Sequence, residues 1–254
     1  MNFRPLMKES DFIFGLRPVI EAIRAGKQID RLLIKQGLKG ILYHELMSEV
    51  KKHNITYQIV PLERIELVTR KNHQGVLAWL SVVEYQNIGN LLPSIFENGE
   101  DPLILILDSV SDVRNFGSIV RTAHCLGAHA IVIPEKGSAR ITADAVKASA
   151  GALHTFPVCR ERSVVRTAKY LRDSGLMIVC AEEKSAKSAS EIDLTGPVAL
   201  ILGSEDKGIN RELKALADQI VKIPVSGTIG SLNVSIAAGI MIYEIMRQRG
   251  ARIR

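Results

Sequence analysis

Three short segments hold the residues of this chain best suited to chemistry: Asn115-Phe-Gly-Ser-Ile-Val-Arg121, Leu202-Gly-Ser-Glu-Asp-Lys-Gly208 and Ile223-Pro-Val-Ser-Gly-Thr-Ile-Gly-Ser-Leu-Asn233. In the first, the planar fork of Arg121 matches phosphate or ribose oxygens. Asn115 reads either as a helix cap or as an amide offered to a ligand. The two stand about 1.7 helical turns apart, so they need not share a face. In the second, Gly203 permits close backbone approach just past an apolar run, and Glu205 adds a carboxylate. Ser204 reads equally as the cap of a strand-to-helix turn. In the third, a glycine-containing loop leads into an apolar helix. Ser231 and Asn233 suit helix capping and suit equally the donation of a hydroxyl and an amide to a substrate. Such a loop can cradle phosphate. It lacks the Gly-Lys-Ser/Thr ending of a Walker loop and is not Gly-x-Gly-x-x-Gly, which counts against a nucleotide-dependent oxidoreductase. No His or Cys stands in these motifs as a base. His124, His129 and His154 are not spaced as a metal set and have no carboxylate cluster beside them, so no metal is expected.

The elements that would position these groups follow from periodicity. Leu103–Leu107 is an apolar run of strand length, suited to a sheet buried on both faces. A helix is expected over 117–127, with Ile119, Val120, Ala123 and Leu126 on one face. Strands over 130–133, 155–158, 176–180, 198–202 and 219–223, helices over 143–153 and 163–174, and a long helix over 234–248 continue the alternation. Strands alternating with helices imply a mostly parallel sheet covered on both sides. Each of the three segments then lies where an α/β sheet binds its ligand.

Residues 13–80 read as a smaller α/β module, with helices over 18–25 and 42–52 and strands over 31–35, 57–60 and 76–80. The polar clusters Glu84-Tyr-Gln-Asn-Ile-Gly-Asn90 and Glu97-Asn-Gly-Glu-Asp101 mark a linker. The expected division is therefore 1–84, a linker over 85–101, and 102–254.

Composition bounds the function classes. Apolar residues make up 46% of 254, enough for a core without staples. Cys125, Cys159 and Cys180 are odd in number and form no Cys-x-x-Cys pair, which fits a reducing cytosol and a cytoplasmic enzyme. No apolar run approaches the length of a membrane helix. The net charge of +6 permits a nucleic-acid partner. Residues 1–85 hold 13 Lys/Arg against 9 Asp/Glu, so most of that excess sits in the smaller module. There Arg70, Lys71 and His73 are candidates for RNA contact.

Taken in order, the three segments resemble the signature motifs of the SpoU/TrmH family of RNA ribose 2′-O-methyltransferases, with Ser231-Leu-Asn233 after a glycine loop the most specific part. Phe14-Gly-Leu-Arg-Pro-Val-Ile-Glu-Ala22 and His73-Gln-Gly-Val76 resemble the L30e-like substrate-binding domain found in many members. Where many members have Pro-His or Pro-Gly before the asparagine, this chain has Val113-Arg114. The resemblance implies an α/β fold whose C-terminal parallel-sheet domain carries a deep trefoil knot. It implies S-adenosylmethionine as cofactor, with Gly203, Ile223 and Leu232 around it. It implies a catalytic pocket of Asn115, Arg121, Glu205, Ser231 and Asn233, and a homodimer in which Arg121 acts across the interface. Arginine's pKa makes Arg121 a poor base, so an anchor for phosphate or ribose that acidifies the 2′-OH is the expected role. The substrate implied is RNA, foremost a guanosine of 23S rRNA. A tRNA, and a catalytically silent RNA-binding protein on the same fold, are the alternatives.

Overall fold

A computed structural model describes residues 12–139, 141–204, 206–227 and 230–250. The chain divides into two compact units, Met1–Glu84 and Tyr85–Arg254.

The first unit runs β1 (Phe12–Phe14), α1 (Leu16–Arg24), β2 (Ile29–Lys35), α2 (Ile41–Lys52), β3 (Tyr57–Val60), α3 (Leu62–Glu66) and β4 (Val76–Leu80). Its sheet order is β1-β4-β2-β3, with only β2 and β3 parallel. Val19, Ile20 and Ile23 of α1 and Leu46 and Val50 of α2 recur at helical spacing. They bury against Leu32, Ile34, Val76 and Ala78, alternate residues of two central strands. Gly15 turns into α1 at φ 93°, and Gln74 at φ 50° places its Oε1 to accept from the Leu16 N–H at 3.1 Å. Two of the quoted resemblance segments thus meet in one turn. His73 Nδ1 accepts from the Gly75 N–H at 3.0 Å, and Arg70 and Lys71 are exposed.

The second unit begins inside the expected linker. β5 (Tyr85–Gln86) pairs with a later strand, and α4 (Ile88–Glu97) buries Ile88, Leu92 and Ile95 in the core of the unit. The polar residues that signalled a linker are a cap and an outer face: Asn87 Oδ1 accepts from the Gly89 N–H at 2.8 Å. Gly89, Asn90 and Pro93 disguise a helix whose buried positions keep the i, i+4, i+7 spacing.

The chain continues through β6 (Leu103–Asp108), α5 (Val113–Cys125), β7 (Ala130–Pro134), α6 (Ala143–Ala148), β8 (Val158–Glu161) and α7 (Val164–Asp173). It ends through β9 (Met177–Ala181), β10 (Lys187–Ser188), β11 (Val198–Gly203), α8 (Arg211–Leu216), β12 (Gln219–Lys222) and α9 (Val234–Gln248). The eight strands form one parallel sheet in the order β10-β12-β9-β11-β6-β7-β8-β5. All six residues of β6 are buried, as a sheet covered on both faces requires. The helix expected over 143–153 stops at Ala148, because Ala150 and Gly151 take φ of 51° and 86° and a 3₁₀ turn follows. The strand expected over 155–158 lies instead at 158–161. Val113 and Arg114 fall in the first turn of α5 rather than before it, since Asp112 is the cap.

Helices α5 and α9 run side by side with their N-termini together. Asn115 meets Asn233, Gly239 faces Thr122 and Gly127 faces Met246. On its other side α5 packs so closely on α6 that a Cβ at Gly117 would stand 2.5 Å from the Ala148 Cβ and 2.8 Å from the Ala145 carbonyl. Glycine at 117 is a packing requirement.

Candidate active site

Four loops at the C-terminal ends of parallel strands build the site. At the end of β6, Asp108 is buried, and its Oδ2 accepts from the Asn210 N–H at 2.7 Å. Its carbonyl accepts from the Ser204 N–H at 3.0 Å. One residue thus ties the turn before α5 to the loop after β11. Asp112 Oδ1 then accepts from the Asn115 N–H at 2.7 Å and starts α5. Asn115 is therefore the third helical residue and not the cap, which releases its side chain for other work.

After β11 the chain folds back on itself. Gly208 donates to the Ser204 carbonyl at 2.8 Å, and Lys207 N–H donates to Ser204 Oγ at 3.2 Å. A Cβ on Gly203 would lie 2.3 Å from Gly208 C and 2.5 Å from the Ile209 N, so only glycine fits. Ser204 caps this turn and no helix; Asn210 caps α8, its Oδ1 accepting from the Glu212 N–H at 2.7 Å. Glu205 lies outside the described residues.

After β12, residues 223–227 and 230–233 precede α9. Asn233 caps that helix, its Oδ1 accepting from Ser235 N and Oγ at 2.9 and 2.6 Å. Its Nδ2 donates to Asn115 Oδ1 at 3.1 Å. After β9, Glu182 N–H donates to the Val221 carbonyl at 2.8 Å and Ser185 Oγ to the Ile220 carbonyl at 2.6 Å, which holds that loop against β12.

The loops after β9, β11 and β12 enclose a cleft of about 380 Å³. Gly203, Ile223, Ser231 and Leu232 line it. The structure thus brings Asn115 and Asn233 into direct contact, and Ser231 stands two residues before Asn233 on the wall of the cleft. It keeps Arg121 apart: six residues along α5 is about 9 Å of axial rise. Arg121 is exposed and bonds to no described residue. Helix α9, packed along α5, exposes Ile236, Ile240 and Tyr243 at 53, 40 and 50%.

Neither His nor Cys lines the cleft among the described residues. Cys180, just before its edge, is buried, and burial pushes its thiol up to about 12, so it supplies no thiolate at neutral pH. His129 is occupied elsewhere, its Nδ1 accepting from the Leu103 N–H at 3.0 Å. Among the described residues no group of three His, Cys, Asp or Glu is placed to hold a metal ion.

The cleft also contains charged groups that the motifs do not flag. Glu182, Lys184 and Lys214 line it, and the Lys214 ammonium donates to Glu182 Oε1. A carboxylate directly after a parallel strand was the available signal for Glu182. Lys214 gave none, because it lies 32 residues away in the chain.

A nucleoside-sized ligand with apolar, polar and charged parts fits this cleft in volume and lining. The cradle at Gly203, closed against any side chain, offers it backbone rather than side-chain contact.

The sequence profile of the SpoU rRNA Methylase family matches residues 102–243, and that for RNA 2′-O ribose methyltransferase substrate binding matches residues 12–86. A Bacillus subtilis protein named as a TrmH family tRNA/rRNA methyltransferase is 34% identical over 244 residues, 96% of this chain and 98% of its own. The AdoMet-bound rRNA methyltransferase of Sinorhizobium meliloti superposes with a TM-score of 0.59 at 26% identity, covering 93% of this chain and 87% of that one. The TrmH/SpoU tRNA modifying enzyme of A. aeolicus superposes with a TM-score of 0.55 at 30% identity, over 59% of this chain and 77% of its own.

Proposed function

The chain belongs to the SpoU methylase family of RNA ribose 2′-O-methyltransferases, and on that premise we propose that its substrate is ribosomal RNA, with a guanosine of 23S rRNA as the finest reading and a tRNA as the second. The coarser activity comes with the family: it is an S-adenosylmethionine-dependent RNA 2′-O-ribose methyltransferase. Its architecture is the SPOUT methyltransferase fold, the one implied by the resemblance together with its knot.

The presence of a substrate-binding unit carries the choice of rRNA. The rRNA methyltransferase aligns over nearly the whole chain, whereas the alignment with the tRNA modifying enzyme is too short to include both units. The tRNA reading is kept because the name of the B. subtilis relative carries both RNAs.

S-adenosylmethionine supplies a methyl group already activated on a sulfonium. The chain has then to hold, to align and to let a proton go. In our reading Gly203, Ile223 and Leu232 hold the cofactor, largely through backbone groups. Asn115 and Asn233, the latter between the cleft-lining Leu232 and Val234, act as a coupled pair of amides that orients the ribose, with Ser231 and Glu205 completing the pocket. Arg121 anchors a phosphate next to the target. Its charge lowers the pKa of the 2′-OH, and the proton leaves to a phosphate oxygen or water.

The axial distance from Arg121 to the Asn115–Asn233 pair supports a further part of this reading. Arg121 would serve the site of a second copy, docked over the apolar residues Ile236, Ile240 and Tyr243 that α9 leaves exposed.

Transfer of labelled methyl to unmodified 23S rRNA fragments and to unmodified tRNA tests the substrate reading, with Asn233→Ala as the control. Label in a 2′-O-methylguanosine of the 23S fragment, lost in the variant, is the expected result. Label in tRNA alone would replace it with the second reading.

A further inference from the structure

Glu182 and Lys214 form an ion pair on the wall of the cleft, and neither belongs to the three motif segments. Each comes from a fixed place. Glu182 is the first residue after β9, and its N–H is bonded to Val221 of β12. Lys214 lies in α8, whose start is tied to β6 through Asp108 and Asn210. Only Oε1 of the carboxylate takes the ammonium; Oε2 bonds to no described residue. Both side chains keep about 30% of their surface, at 29% for Glu182 and 31% for Lys214, so the pair is reachable from the cleft.

Strand β9 lies beyond β11, and β11 beyond β6. Two strand spacings, about 10 Å, therefore separate Glu182 from the strand that leads to Asn115. The pair therefore lies in a part of the cleft away from the Asn115–Asn233 amides. A bare carboxylate would suit a cation there. A carboxylate already neutralised by Lys214 instead suits neutral donors, and its second oxygen is an acceptor for hydroxyl hydrogens. A carboxylate just past a parallel strand, beside the crevice, takes ribose hydroxyls in doubly wound sheets for the same reason.

We propose that Glu182, held in place by Lys214, binds the ribose hydroxyls of S-adenosylmethionine and so makes the cleft selective for a ribonucleoside cofactor. This rests on the reading of the cleft as the cofactor site. Glu182 is a binding residue in this scheme, and Lys214 a positioning residue that acts through it.

The test is calorimetric binding to the full-length protein, with S-adenosylhomocysteine, its 2′,3′-dideoxy analogue and 5′-methylthioadenosine as probes. Wild type is expected to bind the dideoxy analogue at least about tenfold more weakly than S-adenosylhomocysteine, the loss of charge-assisted hydrogen bonds. Glu182→Ala should weaken S-adenosylhomocysteine by a similar factor and erase the discrimination. It should weaken 5′-methylthioadenosine, which keeps the ribose but lacks the amino-acid tail, just as much. Glu182→Gln keeps one acceptor and the side-chain shape, and should retain part of the discrimination; it carries the test if the alanine variant does not fold. Lys214→Ala should lower the discrimination and Lys214→Arg restore it. Wild-type discrimination persisting in both Glu182 variants would overturn the proposal. So would weakened S-adenosylhomocysteine with unchanged 5′-methylthioadenosine, which would assign the pair to the amino-acid tail. Wild type binding none of the three probes would overturn the cofactor reading of the cleft, and the proposal with it.

Discussion

A bond between two amides, Asn233 Nδ2 to Asn115 Oδ1, joins positions 118 residues apart and couples the start of α9 to the start of α5. Asn233 does two things at once, since its Oδ1 also caps α9. The substitutions Asn233→Asp and Asn233→Ala separate them. Aspartate keeps the acceptor and remains a good cap, but it loses the N–H that reaches Asn115. Asn233→Asp should unfold in denaturant within about 0.5 kcal/mol of wild type, whereas Asn233→Ala should cost about 1 kcal/mol. Both should lose single-turnover methyl transfer. An active aspartate variant would reduce the amide pair to a capping role. Arg121→Lys keeps the charge and removes the fork, so it should slow transfer well below wild type; near-normal rates would dismiss the anchor. These residues were legible because motif order survives in sequence. The Glu182–Lys214 pair was not, because it exists only where α8 folds over the end of β9. Nor did the spacing of Asn115 and Arg121 decide whether they meet. The helix had to begin at Val113, capped by Asp112, before the distance between them had a meaning.

The elements were legible where burial follows one period. The long helix over 234–248 and the strands of the second unit are apolar on the side or sides they bury. Helix α4 was hidden by a proline and two polar termini, and α3 and α8 are too short, at five and six residues, to show a period. Contacts between elements carry their own predictions. Gly117→Ala would drive a methyl group into α6, at 2.5 Å from Ala148 Cβ. It should destabilise the fold by about 1–3 kcal/mol, read by denaturant unfolding; a neutral result would show that α6 yields. The turn from α5 to β7 contains a titrating group. Burial lowers the pKa of His129 from its ordinary 6.5, against the opposing pull of Glu100. The unfolded state therefore takes up the proton first. The stability His129 supplies is complete above about pH 6.5 and falls as the pH drops below it. Melting temperature should decline between about pH 7 and pH 5, and His129→Gln should flatten that part of the profile. A decline of unchanged slope in the variant would place the titration elsewhere.

At the scale of the whole molecule, the two units divide the work between an α/β module matched to substrate binding and a parallel sheet whose strand ends converge on one cleft. Chain length and charge allowed this division but did not assign it. If Arg121 serves a neighbouring site, Arg121→Ala and Asn233→Ala are inactive for reasons that lie in different copies. Mixing them after reversible dissociation would give one intact site in each mixed dimer, hence about a quarter of wild-type activity. Activity absent from the mixture, with exchange verified by mass, would confine Arg121 to its own chain. In the function proposed above, the cleft presents a methyl group to a ribose hydroxyl. The decisive experiment is single-turnover transfer to an RNA carrying the mapped target nucleotide, beside the same RNA with a 2′-deoxy sugar at that position. The first RNA should yield a 2′-O-methylated nucleoside, and the second should accept no methyl group. Transfer that survives removal of the 2′-OH would place the methyl on a base and contradict that function.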